Sequence, residues 1–329
     1  MDFTKSQDFT GYRADRCPQD HLPGGSGLRG AHSPREWLTI LRKVGGAPVI
    51  LLFVSFFLSS GISEAQTADS STSGYTVING PYLKSYVTDT RSFVKSPLQW
   101  KTKQWLTMGA VAGAGVLLYS KDPEIRDFVR EHHTAAGDDF FRYGFEPWGS
   151  GLYPVPLLGC MYLTGRLAHN DRISATALTA GKAALISALF VNITKQLMHR
   201  HRPYQDNPAN YAGWHGPFSD WRYASFPSGH SAFAFSIAAV LASEYRETGW
   251  VPVAAYAVAA GTAFSRIYRD KHWASDVFAG SALGIVTGRF LWKKNRTVRI
   301  TPVLSAHYSM ISVEVPLGCR HSRGDARCE

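Results

Sequence analysis

The chain has 329 residues, a net charge of +10, a pI near 9.5, 45% hydrophobic residues and a mean hydropathy of −0.14. That length buries a full core as one large domain or two small ones, and the basic balance points to an anionic partner, either a phosphorylated substrate or an anionic lipid surface. The charges are scattered, with no aromatic-spaced basic run, which argues against a nucleic-acid module.

Residues 1–40 are polar, rich in Gly and Pro, without periodicity, and read as a disordered extension. Arg42 and Lys43 precede an apolar run from Ala47 to Ser60, the length of a signal-peptide core and short of the roughly 20 residues of a spanning helix. Ser63-Glu64-Ala65 places small residues where a signal peptidase reads, so 1–65 is expected to be an extension plus leader cleaved after Ala65. Residues 66–104 are Ser/Thr/Tyr/Gly-rich at first and are expected to form an extended arm.

A helical domain is expected over 105–296, with main helices at Trp105–Tyr119, Leu152–Leu167, Ser174–Met198, Ser228–Glu244, Trp250–Phe264 and His272–Trp292. Short amphipathic pieces at Asp122–His133 and Asp138–Tyr143 fill the polar insert between the first two. The fold class is therefore all-α, a bundle of about six main helices, rich in the Ala and Gly that let backbones approach closely. The alternating, β-branched stretch Arg299–Val315 predicts a small strand pair within 297–329, and the tail after Gly318 reads as disordered. Cys319 and Cys328 there pair only in an oxidising compartment, or stay free as tail thiols; neither they nor Cys17 and Cys160 have metal-ligand spacing.

The sequence leaves open whether the bundle is soluble or membrane-embedded. Several segments are short, and Lys182 interrupts one. Yet Lys101, Lys103, Arg166, Arg172, Lys293, Lys294 and Arg296 fall at ends that share one side of a six-span topology, as the positive-inside pattern requires. A cleaved leader conflicts with that topology, because it delivers Gln66 to the outer side while the basic ends need entry from the inner side.

Three clusters carry chemistry. Ser265–Asp276 reads SRIYRDKHWASD; if it is helical from His272 onward, His272 and Asp276 share a face, so the carboxylate can hold one imidazole nitrogen and leave the other basic. Arg266 is a fork of donors for phosphate or carboxylate. Lys195 and Arg202 flank a helix end closed by Pro203. In FPSGHS, Ser228 is a good N-cap, Gly229 lets backbone N–H groups face an anion, and His230 stands beside them. A lone His-x3-Asp is usually a surface pair. A two-His, one-carboxylate metal site is opposed by three neighbouring cations. His199 and His201 read as solvated helix-end residues, and Asp270 and Lys271 as loop charges. The aromatics from Tyr204 to Tyr223 form either a rim for a lipid tail or ordinary loop packing.

The pattern K-x6-RP, PSGH, SR-x5-H-x3-D, complete here in Lys195, Arg202, Pro203, Pro227 to His230, Ser265, Arg266, His272 and Asp276, resembles the superfamily of type 2 phosphatidic acid phosphatases. That superfamily also holds class A bacterial acid phosphatases and vanadium haloperoxidases, and the resemblance covers about Leu152–Trp292. It implies that Lys195, Arg202, Arg266, the Ser228 hydroxyl and the Gly229 N–H hold phosphate. It further implies that His272 attacks phosphorus, Asp276 fixes its tautomer, and His230 serves as acid and then base, with no metal or cofactor. The expected substrate is a lipid phosphate monoester or diphosphate at the periplasmic face of a bacterial envelope. The alternatives are a soluble periplasmic acid phosphatase acting on small phosphate esters and, from another reaction class, a vanadate-dependent haloperoxidase.

Overall fold

A computed structural model of the protein describes residues 75–296 and the backbone of 299–304 and 309–314. The expected leader with its cleavage after Ala65, the tail after Gly318, and Cys17, Cys319 and Cys328 lie outside these residues. The elements in order are α1 (Gly80–Lys95), α2 (Thr102–Ser120), α3 (Asp122–Glu131), α4 (Ala135–Phe140), α5 (Glu146–Ser150), α6 (Pro154–Leu167), α7 (Asp171–Met198), α8 (Gly229–Glu244), α9 (Trp250–Tyr268) and α10 (Ala274–Asn295). Beyond them the backbone of β1 (Arg299–Leu304) pairs antiparallel with β2 (Ser309–Glu314).

Local chemistry sets the helix limits. Asn79 accepts from Tyr82 N with Pro81 in the first turn of α1, and Asn170 accepts from Ile173 N to open α7. His199, at φ 44, turns the chain out of α7 in the left-handed conformation that ends helices. Ser228 caps α8 by accepting from Ser231 N.

The expected extended arm over 66–104 is corrected within the described residues, where α1 occupies Gly80–Lys95; residues 66–74 lie outside them. Its buried side is Tyr82, Ser85 and Asp89 in place of an aliphatic stripe, so the usual periodic signal is missing. Asp89 and Ser85 meet Lys182 of α7, at 2.8 and 2.7 Å from its Nζ. The lysine that interrupts an apolar helix is thus the partner that holds α1 down.

The core lies among Leu157 and Met161 of α6, Ala180, Ala184 and Ile186 of α7, Ile237 and Val240 of α8, and Leu291 of α10. Gly280, Gly284 and Gly288 form a seam along α10, where an added Cβ would lie 2.3, 2.4 and 2.5 Å from Ser228 O, Ala232 O and Ser236 O of α8. Backbone meets backbone there, and only glycine fits.

Two ends of the bundle follow from the contacts. At one end Arg172 of α7 and Arg296 beyond α10 both grip Glu244 of α8 at 2.9 Å. At the other meet the start of α8, the starts of α3 and α10, and the ends of α7 and α9. Much apolar surface stays uncovered. None of the α2 side chains is buried, with Leu106 and Leu117 each 70% exposed, and Leu185, Leu189, Ile193 and Leu197 form an exposed stripe on α7. Among the described residues α7 alone is long and apolar enough to cross a membrane, and most of that apolar window is buried in the bundle.

Candidate active site

Every residue singled out by the three motifs lies at the second of these ends. Lys195, in the last turn of α7, donates from Nζ to Ala224 O at 2.8 Å, and Arg202 reaches the same carbonyl from Nη2 at 3.2 Å. Ser228 is fully buried at the head of α8, its N–H donating to Asp276 O at 2.9 Å, which fastens α8 to α10. Its hydroxyl accepts from Ser231 Oγ at 2.9 Å. An added Cβ on Gly229 would meet Val191 Cγ1 only at 3.6 Å, so crowding does not demand glycine there. His230 is half-buried and seated against α5, where an added Cβ on Gly149 would lie 2.5 Å from His230 Cβ. The charges of Arg266, His272, Lys195 and Arg202 all act on it.

Arg266, near the end of α9, has Nη1 2.6 Å from Glu146 Oε1 without hydrogen-bond alignment. Its buried Nε meets no acceptor among the described residues. A buried, unmatched guanidinium edge beside two further cations is a strong anion seat.

His272 is 3% exposed and lies outside the helix, since α10 begins at Ala274. The expected face-sharing one turn apart is therefore only partly realised. Nδ1 is 3.7 Å from Asp276 Oδ2, too far for a hydrogen bond, and the Ser225 hydroxyl stands by both, 2.5 Å from Oδ2 and 3.5 Å from Nδ1. Asp276 also caps α10 by accepting from Trp273 N at 3.1 Å. Nδ1 thus faces the Ser225–Asp276 side, which leaves Nε2 for a reacting group. Burial first, then Lys195, Arg202 and Arg266, hold the imidazole well below the ordinary histidine range, with the Ser225 backbone pulling the other way. His272 is accordingly neutral, with a free lone pair, at neutral pH.

Four contributors carry no motif signal. Ser225 is one; Glu146 on α5, which bonds Arg269 as well as facing Arg266, is another. The others are Arg200 and Asp122, both fully buried behind Asp276. Arg200 is inside the spacer between Lys195 and Arg202, and Asp122 is some 70 residues upstream of it in a polar segment. Neighbouring expectations also change. His199 is fully buried with Nδ1 2.8 Å from Gly216 O, and His201 packs in a three-ring cluster with His215 and Tyr223, so neither is a solvated helix-end residue. Asp270 bonds Arg126 at 2.6 Å, and Lys271 lies 4.7 Å above the Tyr204 ring. Of the loop aromatics, Phe218 is 96% exposed, whereas Trp214 covers Arg200.

Comparison with known proteins accords with this geometry. Residues 176–299 match the family described as PAP2 superfamily. A lipid A 1-phosphatase from Porphyromonas gingivalis is 49% identical over 65 residues, covering 20% of this chain and 15% of that protein. The bacitracin transport permease protein BcrC of Bacillus licheniformis is 34% identical over 94 residues, 28% of this chain and 44% of that protein. The chain thus spans less than half the length of either relative. A solved transmembrane PAP2 type phosphatidylglycerolphosphate phosphatase from Bacillus subtilis aligns at TM-score 0.41 and 17% identity, over 56% of this chain and 94% of that one. Residues 176–299, the stretch that matches the PAP2 superfamily, hold all three motifs.

Proposed function

We propose that the protein is a metal-independent lipid phosphatase that releases phosphate through a phosphohistidine intermediate. The observation that carries this reading is the convergence of Lys195, Arg202, Arg266, His230 and His272 on one end of the bundle, with the His272 imidazole kept neutral. The three cations, the Ser228 hydroxyl and the Gly229 N–H would hold the phosphoryl oxygens and stabilise the charge of the transition state. His272 Nε2 attacks phosphorus in line; the N–P bond forms as the bond to the leaving oxygen breaks, and His230, protonated once the negative charge of the bound phosphate offsets the neighbouring cations, gives that oxygen its proton. Water then attacks phosphorus, loses a proton to His230 and releases phosphate as the N–P bond breaks, which restores both imidazoles. Asp276, through Ser225, stabilises the charge that develops on His272.

The exposed apolar side chains of α2 and α7 favour a bilayer around the bundle, hence a lipid substrate. Of the six main helices, α2 begins, α6 ends, α7 begins and α10 ends with the basic residues Lys101 and Lys103, Arg166, Arg172, and Lys293 and Lys294. This basic end is opposite the candidate site, which under the positive-inside rule supports a site at the outer, periplasmic face. In that topology the residues before α2 stay on the inner side, where a cleaved leader would not leave them. In domain terms, 105–296 is the phosphatase unit, with α1 added to it.

The test is phosphate release by purified protein in detergent from phosphatidate, a polyprenyl diphosphate, a phosphorylated lipid A and p-nitrophenyl phosphate, each with and without chelator. Release from at least one lipid, unaffected by chelator and abolished in His272→Ala, is expected. Near-normal turnover by His272→Ala would refute the mechanism.

A further inference from the structure

The pair Arg200 and Asp122 is more elaborate than packing requires. Both are fully buried. Arg200 donates from Nη1 to Asp276 Oδ1 at 2.6 Å and Ser275 Oγ at 2.8 Å, from Nη2 to Asp122 Oδ2 at 2.7 Å and Tyr211 O at 2.9 Å, and from Nε to Tyr211 O at 3.1 Å. All five N–H groups of the guanidinium are used. The rings of Tyr119, Trp214 and Trp273 enclose it at 4.7, 5.1 and 5.4 Å. Asp122, at the head of α3, accepts from Ser275 N at 2.9 Å and from Ser275 Oγ, so it is fixed from two sides.

We propose that Arg200 and Asp122 are positioning residues which set how much of the Asp276 charge reaches His272. One cation is divided between two carboxylates. Asp122 draws the guanidinium charge away from Asp276, and Arg200 in turn moderates the pull of Asp276 on the imidazole. Asp122 lies before the stretch that matches the PAP2 superfamily and Arg200 within it, so the pair ties the two regions together. The inference rests on the reading of His272 as nucleophile.

The charged and polar groups that bear on His272 come from every element around it: Lys195 from α7, His230 from α8, Arg266 from α9, Asp276 from α10, and Arg202 and Ser225 from the loop. Those on Asp276 are Arg200, Ser225 and Trp273 N in contact and the charges of Lys195 and Arg202 at longer range; those on Asp122 are Arg200 and Ser275. Among these, Arg200 and Asp122 have no route to the substrate except through Asp276.

The two substitutions therefore act in opposite directions. In Arg200→Gln the Asp276 charge acts undiminished, His272 takes up a proton at higher pH, and the acid limb of kcat/KM moves up by about one pH unit. In Asp122→Asn the whole guanidinium charge falls on Asp276, and the same limb moves down. The double variant returns towards the parent. Arg200→Lys, which keeps the charge but not the fork, tests packing apart from charge and should leave the limb within a few tenths of a unit. The measurement is the pH profile of kcat/KM on p-nitrophenyl phosphate in detergent. Limbs that stay in place in Arg200→Gln and Asp122→Asn, or that move the same way, overturn the proposal. If Arg200→Gln does not fold, the Asp122→Asn limb alone decides. Activity retained by His272→Ala would instead overturn the nucleophile reading; a dead His272→Ala with unmoved limbs would sink only the role given to Arg200 and Asp122.

Discussion

Asp89→Asn should be among the most damaging single changes outside the site. Lys182 is fully buried in the middle of α7, with Asp89 Oδ2 at 2.8 Å, Ser85 Oγ at 2.7 Å, and the rings of Tyr75, Tyr82 and Tyr86 at 4.8, 5.1 and 5.7 Å. Replacing Asp89 leaves an uncompensated buried ammonium, a loss of about 3–5 kcal/mol. At roughly 2–4 °C per kcal/mol for a domain of this size, the unfolding midpoint should fall by about 10 °C. Lys182→Met should cost less, about 1–3 kcal/mol, because Asp89 keeps Lys294 at 3.1 Å, a lysine 33% exposed and already near water. Lys182→Met with Asp89→Leu removes both charges and should recover most of the loss. Thermal unfolding of the parent, Lys182→Met, Asp89→Leu and the double variant in one detergent closes the double-mutant cycle, with Asp89→Asn measured beside them. A Lys182→Met protein less stable than Asp89→Asn, or a double variant as weak as the two losses added, would refute the reasoning.

Three further outcomes follow from the site. Gly280→Ala places a methyl against Ser228 O, so it should cost about 1–3 kcal/mol and, by shifting the head of α8, lower kcat about 100-fold; unchanged kcat would show that the seam does not position the site. Because burial and the three cations hold His272 below its ordinary range, the reactive neutral form persists on acidification through pH 6.5 and is lost only as pH falls through the lowered value; a kcat/KM limb at or above 6.5 assigned to His272 by its loss in a variant would contradict this. Arg202→Ala should weaken inhibition by orthovanadate about 10- to 100-fold, the equivalent of a charge-assisted hydrogen bond of about 1.5–3 kcal/mol, as read from inhibition constants; equal inhibition would remove Arg202 from the anion seat.

The site was legible because its residues stand at helix ends, where short motifs fix both residue type and local geometry. Lys195, Ser228 and Arg266 needed only the bundle to bring their helix ends together. What the motifs could not show is what joins them from outside. Ser225, between His272 and Asp276, follows a loop of no periodic pattern, and Asp122 reaches Ser275 across 153 positions of sequence. Nor does His-x3-Asp spacing say where α10 begins, and a start at Ala274 puts the direct His272–Asp276 contact out of range. The helix α1 was hidden for a different reason: its buried face is Tyr, Ser and Asp, sensible only once Lys182 is known to lie beneath it. Lys182 itself, read alone, looked like an interruption.

The unequal lengths of the helices carry one more consequence. At about 1.5 Å per residue, the 28 residues of α7 rise about 42 Å, whereas the 14 of α6 and 16 of α8 rise only about 21 and 24 Å. A bilayer core of about 30 Å is thicker than α6 and α8 are long. In the orientation proposed above, with the basic end at the inner surface, the head of α8 would stop short of the outer headgroups, and the lipid beside it would thin to meet it. In that orientation the candidate site is sunken on its lipid-facing side. A substrate held by its acyl chains could bring its phosphate to His272 by sliding sideways at its own depth, and host bilayers of shorter chain length would bring the two level.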